Sequence, residues 1–298
     1  MKKYKILYLA VFNPNSTNVY QSRGLKECGH EVIEYNYRDM AGPMGGAHGR
    51  DTHLIELAKV EKPDLVIYSK ANGMHHRVID EHNKISKTVL WYMDALHNFN
   101  GELIDKVKRC TSFVCGVEGV VKEATKYSKN VHFVQQCYDE LINYKIDIPQ
   151  DVDISFIGTN DRIPIHSNRQ PYINYLRNNF NTFTLFSGVF GEVHNVVVNR
   201  TKINLNFTPT DKTGTSVRLH KILGAGGFLM TTPWDDMENS FTPGKDFVVF
   251  NSQEELKEKI EYYLTHTEER EAIRLHGNNT IQKCLPKQWA IETINTIL

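Results

Sequence analysis

Short apolar runs alternate with amphipathic stretches along the whole chain. Residues 5–12 (KILYLAVF) read as a strand, followed by a polar loop over 13–18 and a helix ending near Cys28 and Gly29. Residues 31–35 form a second strand, 51–60 a helix, and 64–68 a third strand after Pro63. A helix over 76–85 and a strand over 88–92 follow, and 102–108, 112–115, 118–127 and 131–135 continue the alternation. Strands alternating with helices at this spacing predict a parallel sheet covered by helices on both faces.

The pattern breaks over 143–153, where Pro149 and mixed charges replace periodicity, and this stretch reads as a linker. Alternation then restarts with a strand over 154–157, a helix over 169–178, a strand over 182–186 and a helix over 192–199. Residues 203–207 are extended, 217–224 helical, 227–231 and 247–250 strands, and 253–264 and 268–283 strongly helical. Pro286 interrupts before a last helix. The fold class is therefore α/β, with two Rossmann-like doubly wound domains, at 1–145 and 146–284, facing across a cleft. Ligands in such folds bind outside the carboxyl ends of the strands.

Composition narrows the function. Over 298 residues, 40% are hydrophobic and 23% charged, as in folded globular proteins. The 35 Lys and Arg balance the 35 Asp and Glu, so no general attraction to nucleic acid or membrane is expected. Lys122, Lys126 and Lys129 fit a solvated helix face. The five cysteines, Cys28, Cys110, Cys115, Cys137 and Cys284, are scattered, have no zinc spacing and suit a reducing cytoplasm. The N-terminal apolar run lacks a small-residue cleavage site and reads as a buried strand rather than a signal peptide. No run is long enough to span a bilayer. Asp151 and Asp153 have a D-x-D spacing but precede a strand, the wrong end for a ligand, and Asp235-Asp236 reads as a helix start. No metal is expected.

The candidate chemistry concentrates after residue 150. Thr213, Gly214, Thr215 and Ser216 form a small polar loop opening a helix, where free amides and the positive helix end make an anion site. Arg218 and Lys221 lie in the first turns of that helix, against the dipole preference. A diphosphate would compensate them; an ordinary capped helix with exposed basic residues fits the local sequence equally well. Gly224, Gly226 and Gly227 end the helix and permit tight packing. Gly188 and its neighbours Ser187, Val189, Phe190 and Gly191 follow another strand, where a nucleobase or sugar would lie. In the first half, Asp94 ends a strand and is placed to take a proton from an acceptor hydroxyl, with His97 beside it. Both also fit ordinary loop roles. His75 and His76, after Asn72-Gly73-Met74 at another strand end, are placed to contact acceptor or sugar, although an ordinary loop role fits them better. The glycine-rich stretch 41–50 contains Pro43 and does not follow the first strand, so it is not a dinucleotide fingerprint; it reads as a mobile loop on the acceptor side.

The stretches SVRLHKILGAGGFLMTT, FTPGKDFVVF and EELKEKIEYYLTHTEEREAIRLHG together resemble, in order and spacing, the C-terminal half of GT-B glycosyltransferases of family-1 type, and especially the spore-maturation CgeB-like branch. Residues 153–159 (DISFIGT) resemble the opening of that family's second domain, and residues 90–94 (LWYMD) resemble a strand end of its first. The resemblance implies a nucleoside-diphosphate-sugar donor held by the second domain, no cofactor and no metal. Arg218 would contact the diphosphate, Thr215 and Ser216 would bind phosphate through hydroxyls and amides, and Gly158 and Thr159 would lie beside the donor. Arg169 matches the arginine after the domain opening. Residues 285–298 would form a helix crossing back to the first domain. One departure stands out. The family's ribose-binding glutamate is Lys221 here, preceded by His220, and a lysine accepts no hydrogen bond. A UDP-sugar is the foremost donor, although Lys221 weakens that assignment. The expected function is sugar transfer to an acceptor hydroxyl on a glycan, a small molecule or a hydroxymethylated DNA base. The competing expectations are a non-catalytic binding or assembly protein that keeps the fold, and a sugar-nucleotide epimerase.

Overall fold

The computed structural model describes residues 2–159 and 164–297. The chain divides into two compact units, Met1–Cys137 with Pro286–Leu298, and Tyr138–Leu285.

In the first unit, β1 (Lys5–Ala10), β2 (Glu31–Asn36), β3 (Leu65–Ser69), β4 (Lys87–Tyr92), β5 (Ser112–Cys115) and β6 (Val131–Phe133) make one sheet in the order β2-β1-β3-β4-β5-β6. Every pairing is parallel. Helices α1 (Thr17–Glu27), α2 (Ala47–Glu61), α3 (His76–His82), α4 (Gly101–Arg109) and α5 (Glu118–Ala124) flank it, together with the chain's last helix, Pro286–Asn295. Both faces of the sheet are buried. Along β1, Leu7 and Leu9 enter one core while Ile6, Tyr8 and Ala10 enter the other. That two-sided burial is why the strands read as unbroken apolar runs. The last helix brings Trp289, Ala290 and Ile294 into the second of these cores, with Trp289 edge-on to Trp91 at 5.3 Å. A Cβ on Gly24 of α1 would lie 2.2 Å from the Pro286 carbonyl oxygen, so the two backbones touch there.

In the second unit, β7 (Val152–Ile157), β8 (Phe183–Phe186), β9 (Thr201–Asn206), β10 (Leu229–Thr231) and β11 (Val248–Val249) form a parallel sheet ordered β11-β10-β9-β7-β8. Its helices are α6 (Arg169–Asn179), α7 (Gly191–Arg200), α8 (Val217–Gly224), α9 (Gln253–Thr265) and α10 (Thr267–Ile281), and the last helix of the chain is α11. In both units the order of connection reverses beside the first strand. A crevice opens at such a reversal, which in the second unit lies between β7 and β9.

Two expectations from the sequence are corrected. The stretch 41–50 is a loop only in part, because α2 begins at Ala47. Gly49 lies inside the helix, where a Cβ would sit 1.7 Å from the Met44 carbonyl oxygen; glycine serves close packing there. Residues 143–153 have no periodicity but pack on the second unit: Asn199 accepts from the Ile146 amide at 2.8 Å and donates to the Tyr144 carbonyl at 3.1 Å. Val152 and Asp153 already belong to β7, whereas the backbone of Tyr144 and Ile146 is held by a side chain rather than by a ladder, which leaves no pattern to read there.

Candidate functional site

The reversal point of the second sheet is occupied by one side chain. Arg218, from the first turn of α8, donates through Nε to the Ile157 carbonyl at the end of β7 (2.7 Å) and through Nη1 to Asn206 Oδ1 at the end of β9 (3.0 Å). Its guanidinium stacks on the Phe156 ring, 4.9 Å from the centroid. Asn206 is fully buried and ties the surroundings together. Its amide nitrogen donates to Thr231 (3.0 Å) and Thr215 (3.4 Å), and its oxygen also accepts from Ser216 (3.4 Å). Glycine at 158 leaves room for this arrangement, since a Cβ there would lie 2.8 Å from the Phe156 ring and 3.1 Å from Arg218 Nη2.

Above Arg218 is a cavity of about 330 Å3. Gly158, Thr159, Arg169, Gly188, Ser216, Arg218 and Lys221 all line it, so seven of the residues singled out in the sequence converge on one place. Helices α6, α7 and α8 begin at its edge, and none of the three has a side-chain hydrogen bond at its N-cap. Helix N-termini offer an anion both amide donors and positive potential. Among the described lining residues there is no carboxylate. The cations consequently push against each other. Burial, and then the charge of Arg169, lower Arg218 to about 10. Burial and Arg218 lower Lys221, with Asp139 acting in the opposite sense. A cavity lined by mutually repelling cations and uncapped helix ends is built for a multiply charged anion.

The sequence reading missed two histidines in the lining, His166 and His194. Burial, followed by Arg169 and Arg218, brings His166 to about 4. Burial, followed by Lys221 and Arg218, brings His194 to about 3. His194 is 7% exposed, and its Nδ1 has no hydrogen-bond partner among the described residues. Phe190, the N-cap of α7, also lines the cavity while remaining well exposed. Of the other predicted residues, Ser187 donates to the Gly158 carbonyl at 2.8 Å, and Gly214 and Thr215 lie on the loop before α8. His220 does not join the site. It is 1% exposed and packs edge-on to Phe241, because it lies on the core face of α8. Asp151 and Asp153 each pair with a cation, Arg200 (2.5 Å) and Lys202 (2.6 Å).

Asp94 and His97 belong to the first unit. Asp94 follows β4 and pairs with Lys70 at 2.7 Å, while His97 lies in the short helical turn Leu96–Asn98. Lys70 and Ala71 both adopt left-handed backbone conformations, at φ of 60° and 51°. Such strain persists only where the surroundings over-determine it. Here the restraint is Lys106, 2% exposed, whose Nζ donates to the Ala71 carbonyl and to Glu102 (2.6 Å).

Residues 159–294 match a family model described as glycosyl transferase-like. Three solved structures align over nearly the whole chain. A glycosyltransferase from Rickettsia africae ESF-5 has a TM-score of 0.65 at 12% identity, covering 100% of this chain and 98% of its own. A sucrose-phosphate synthase from Thermosynechococcus elongatus has a TM-score of 0.68 at 10% identity, with 99% and 98% covered. Anabaena HepE in complex with UDP-glucose has a TM-score of 0.65 at 11% identity, with 98% and 100% covered. The fold is GT-B. Apart from Ile157 and Gly158, the described residues lining the cavity fall within the matched residues 159–294. No match is found among curated proteins. Among the described residues, no helix is long and apolar enough to cross a membrane, and no group of three or more metal-ligating side chains is placed to hold an ion.

Proposed function

We propose that this protein is a metal-independent glycosyltransferase of the CgeB-like branch, moving a sugar from a nucleoside diphosphate to an acceptor hydroxyl. The observation that carries the reading is the convergence of Arg169, Arg218, Lys221 and three uncapped helix N-termini on one cavity. HepE, of the same fold, has been crystallised with UDP-glucose and with UDP, which supports a UDP-sugar as donor. In the reaction the bond between the anomeric carbon and the β-phosphate oxygen breaks, and the acceptor oxygen bonds to that carbon. The diphosphate leaves with an added negative charge, met by Arg218, Lys221 and the amides at the start of α8. The acceptor proton is assigned to Asp94, which pairs with Lys70 at 2.7 Å. The five free thiols support a reducing cytoplasm as the setting.

The test is release of nucleoside diphosphate from a panel of nucleotide sugars, with and without added acceptors. Turnover should require Arg218 and fall in Asp94→Asn. The reading is wrong if no nucleotide sugar binds or turns over, or if turnover survives Arg218→Ala unchanged.

A further inference from the structure

A second cavity, of about 540 Å3, lies in the first unit. It falls within the ~300–1,000 Å3 range of small-molecule sites. We propose that it binds an uncharged, hydroxyl-rich ligand, a pyranose or short glycan, so that the acceptor is a carbohydrate. This rests on the glycosyltransferase reading.

The cavity is built from three segments: the start of α2, the turn before α3 and the first turn of α4. They are fastened by polar contacts. Arg50, 4% exposed, donates to Asp51 (2.6 Å) and to the Gly73 carbonyl (2.8 Å). Asp51 accepts in turn from the His75 amide (3.0 Å), and Glu102 accepts from the Gly73 amide (2.8 Å). The turn so held contains the left-handed Lys70, Ala71 and Gly73. Strained backbone fixed by buried charges marks a preorganised site.

The lining offers hydrogen bonds of both senses. Glu102 is an acceptor: burial opposes its ionisation, but Lys106 and the Gly73 amide outweigh burial and keep the carboxyl below its usual range. His75 accepts the Arg77 amide at Nδ1 (3.2 Å), which assigns the proton of the neutral ring to Nε2, a donor. Ile55, Met74 and Val78 supply apolar surface. Paired donors and acceptors beside an apolar floor fit the hydroxyls and C–H face of a sugar ring. The other acceptor classes fit less well. Asp51 and Glu102 are each already paired with a cation, and Arg77 is the single Lys or Arg among the described lining residues, too few for a phosphate backbone; no Phe, Tyr or Trp is among them for an extruded base to stack on. Recognition of an extended peptide uses an exposed strand edge, whereas here the walls are helix ends.

The experiment uses the full chain. Saturation-transfer NMR and calorimetry measure binding of common hexoses, N-acetylhexosamines and their disaccharides, with UDP binding followed in parallel. At least one sugar should bind in the millimolar range or tighter. Glu102→Gln should weaken it at least tenfold. So should Ala47→Trp, which fills the cavity mouth from an exposed position outside the polar network. UDP affinity should stay within twofold in both variants. The proposal is overturned if UDP binds and no sugar does, if the sugar binds both variants as well as the parent, or if a hydroxymethylcytosine duplex or a serine peptide displaces it. Loss of UDP binding in the parent protein would instead sink the glycosyltransferase reading; sugar binding that both variants abolish would still establish this site.

Discussion

Replacing Arg218 by alanine should separate binding from stability. In the free protein the guanidinium is held charged at a cost. Its fall from 12.5 to about 10 corresponds to about 3 kcal/mol set against the charged form. Against this stand two hydrogen bonds, to Ile157 and Asn206, at ~1 kcal/mol each, and stacking on Phe156 at ~1 kcal/mol. These terms nearly cancel, so Arg218→Ala should change unfolding free energy by no more than ~1 kcal/mol. Nucleotide binding should respond differently. A charge-assisted hydrogen bond to phosphate contributes ~1.5–3 kcal/mol, so loss of the side chain should weaken UDP by about tenfold to a hundredfold. Arg218→Lys keeps a charge without the planar fork and should fall between. Calorimetric titration with UDP at fixed ionic strength, beside urea unfolding of the same samples, reads both quantities. The reasoning fails if UDP binds Arg218→Ala within threefold of the parent, or if the variant loses several kcal/mol of stability while keeping its affinity.

Stability should fall on acidification: unfolded histidine titrates near 6.5, whereas His194 and His220 are lowered to about 3 and 4, so between these values the unfolded chain binds more protons. Their contribution is complete above pH 6.5 and declines below it, by ~2 kcal/mol for each group at pH 5; urea unfolding that is flat from pH 7.5 to 5 would contradict this. Gly158→Ala places a Cβ 3.1 Å from Arg218 Nη2 and 2.8 Å from the buried Phe156 ring, so it should weaken UDP severalfold and lower the melting temperature; an unchanged affinity counts against Arg218 as the phosphate ligand. Gly224→Ala drives a Cβ to 2.3 Å from the buried Tyr138 ring and should cost ~1–3 kcal/mol by overpacking, read as a lower thermal midpoint; an unaltered midpoint refutes the close packing of α8.

The central strands were legible because they are buried on two faces, as the alternate residues of β1 illustrate. The part of the cavity around α8 was legible because Ser216, Arg218 and Lys221 are close in sequence and the two cations break the helix-dipole preference. His194 left no such signal. It lies in an apolar helix, α7, and meets the cavity only because α7 and α8 pack side by side. Asn206 reads as the polar end of a strand, and its role depends on partners at Thr215, Arg218 and Thr231 that folding alone brings together. The pocket of the first unit was legible only in part: Ala47, His48, Gly73, Met74 and His75 lie in stretches singled out in the sequence, but nothing there shows that they converge. Its turn takes left-handed conformations at Lys70 and Ala71, where no glycine announces them, and the lysine that enforces the turn lies on a different helix. Glycine density misled in the opposite direction at Gly49, which permits contact between a helix and the preceding turn.

Lys221 gains a role on the proposed reading. Where the resemblance places a ribose-binding carboxylate, this chain adds a second cation beside Arg218, and burial together with the charge of Arg218 lowers the proton affinity of Lys221. An anion relieves that repulsion in proportion to its charge. A nucleoside diphosphate that has lost its sugar carries more negative charge than the sugar ester, and that charge develops on the β-phosphate as the bond breaks. The cavity therefore grips the departing diphosphate more tightly than the intact donor, which is the differential binding that accelerates a reaction. A carboxylate at 221 would compensate Arg218 in the free protein and reduce that difference. The substitution thus moves position 221 from recognition of ribose to stabilisation of the leaving group, and leaves ribose selection to other residues of the cavity wall.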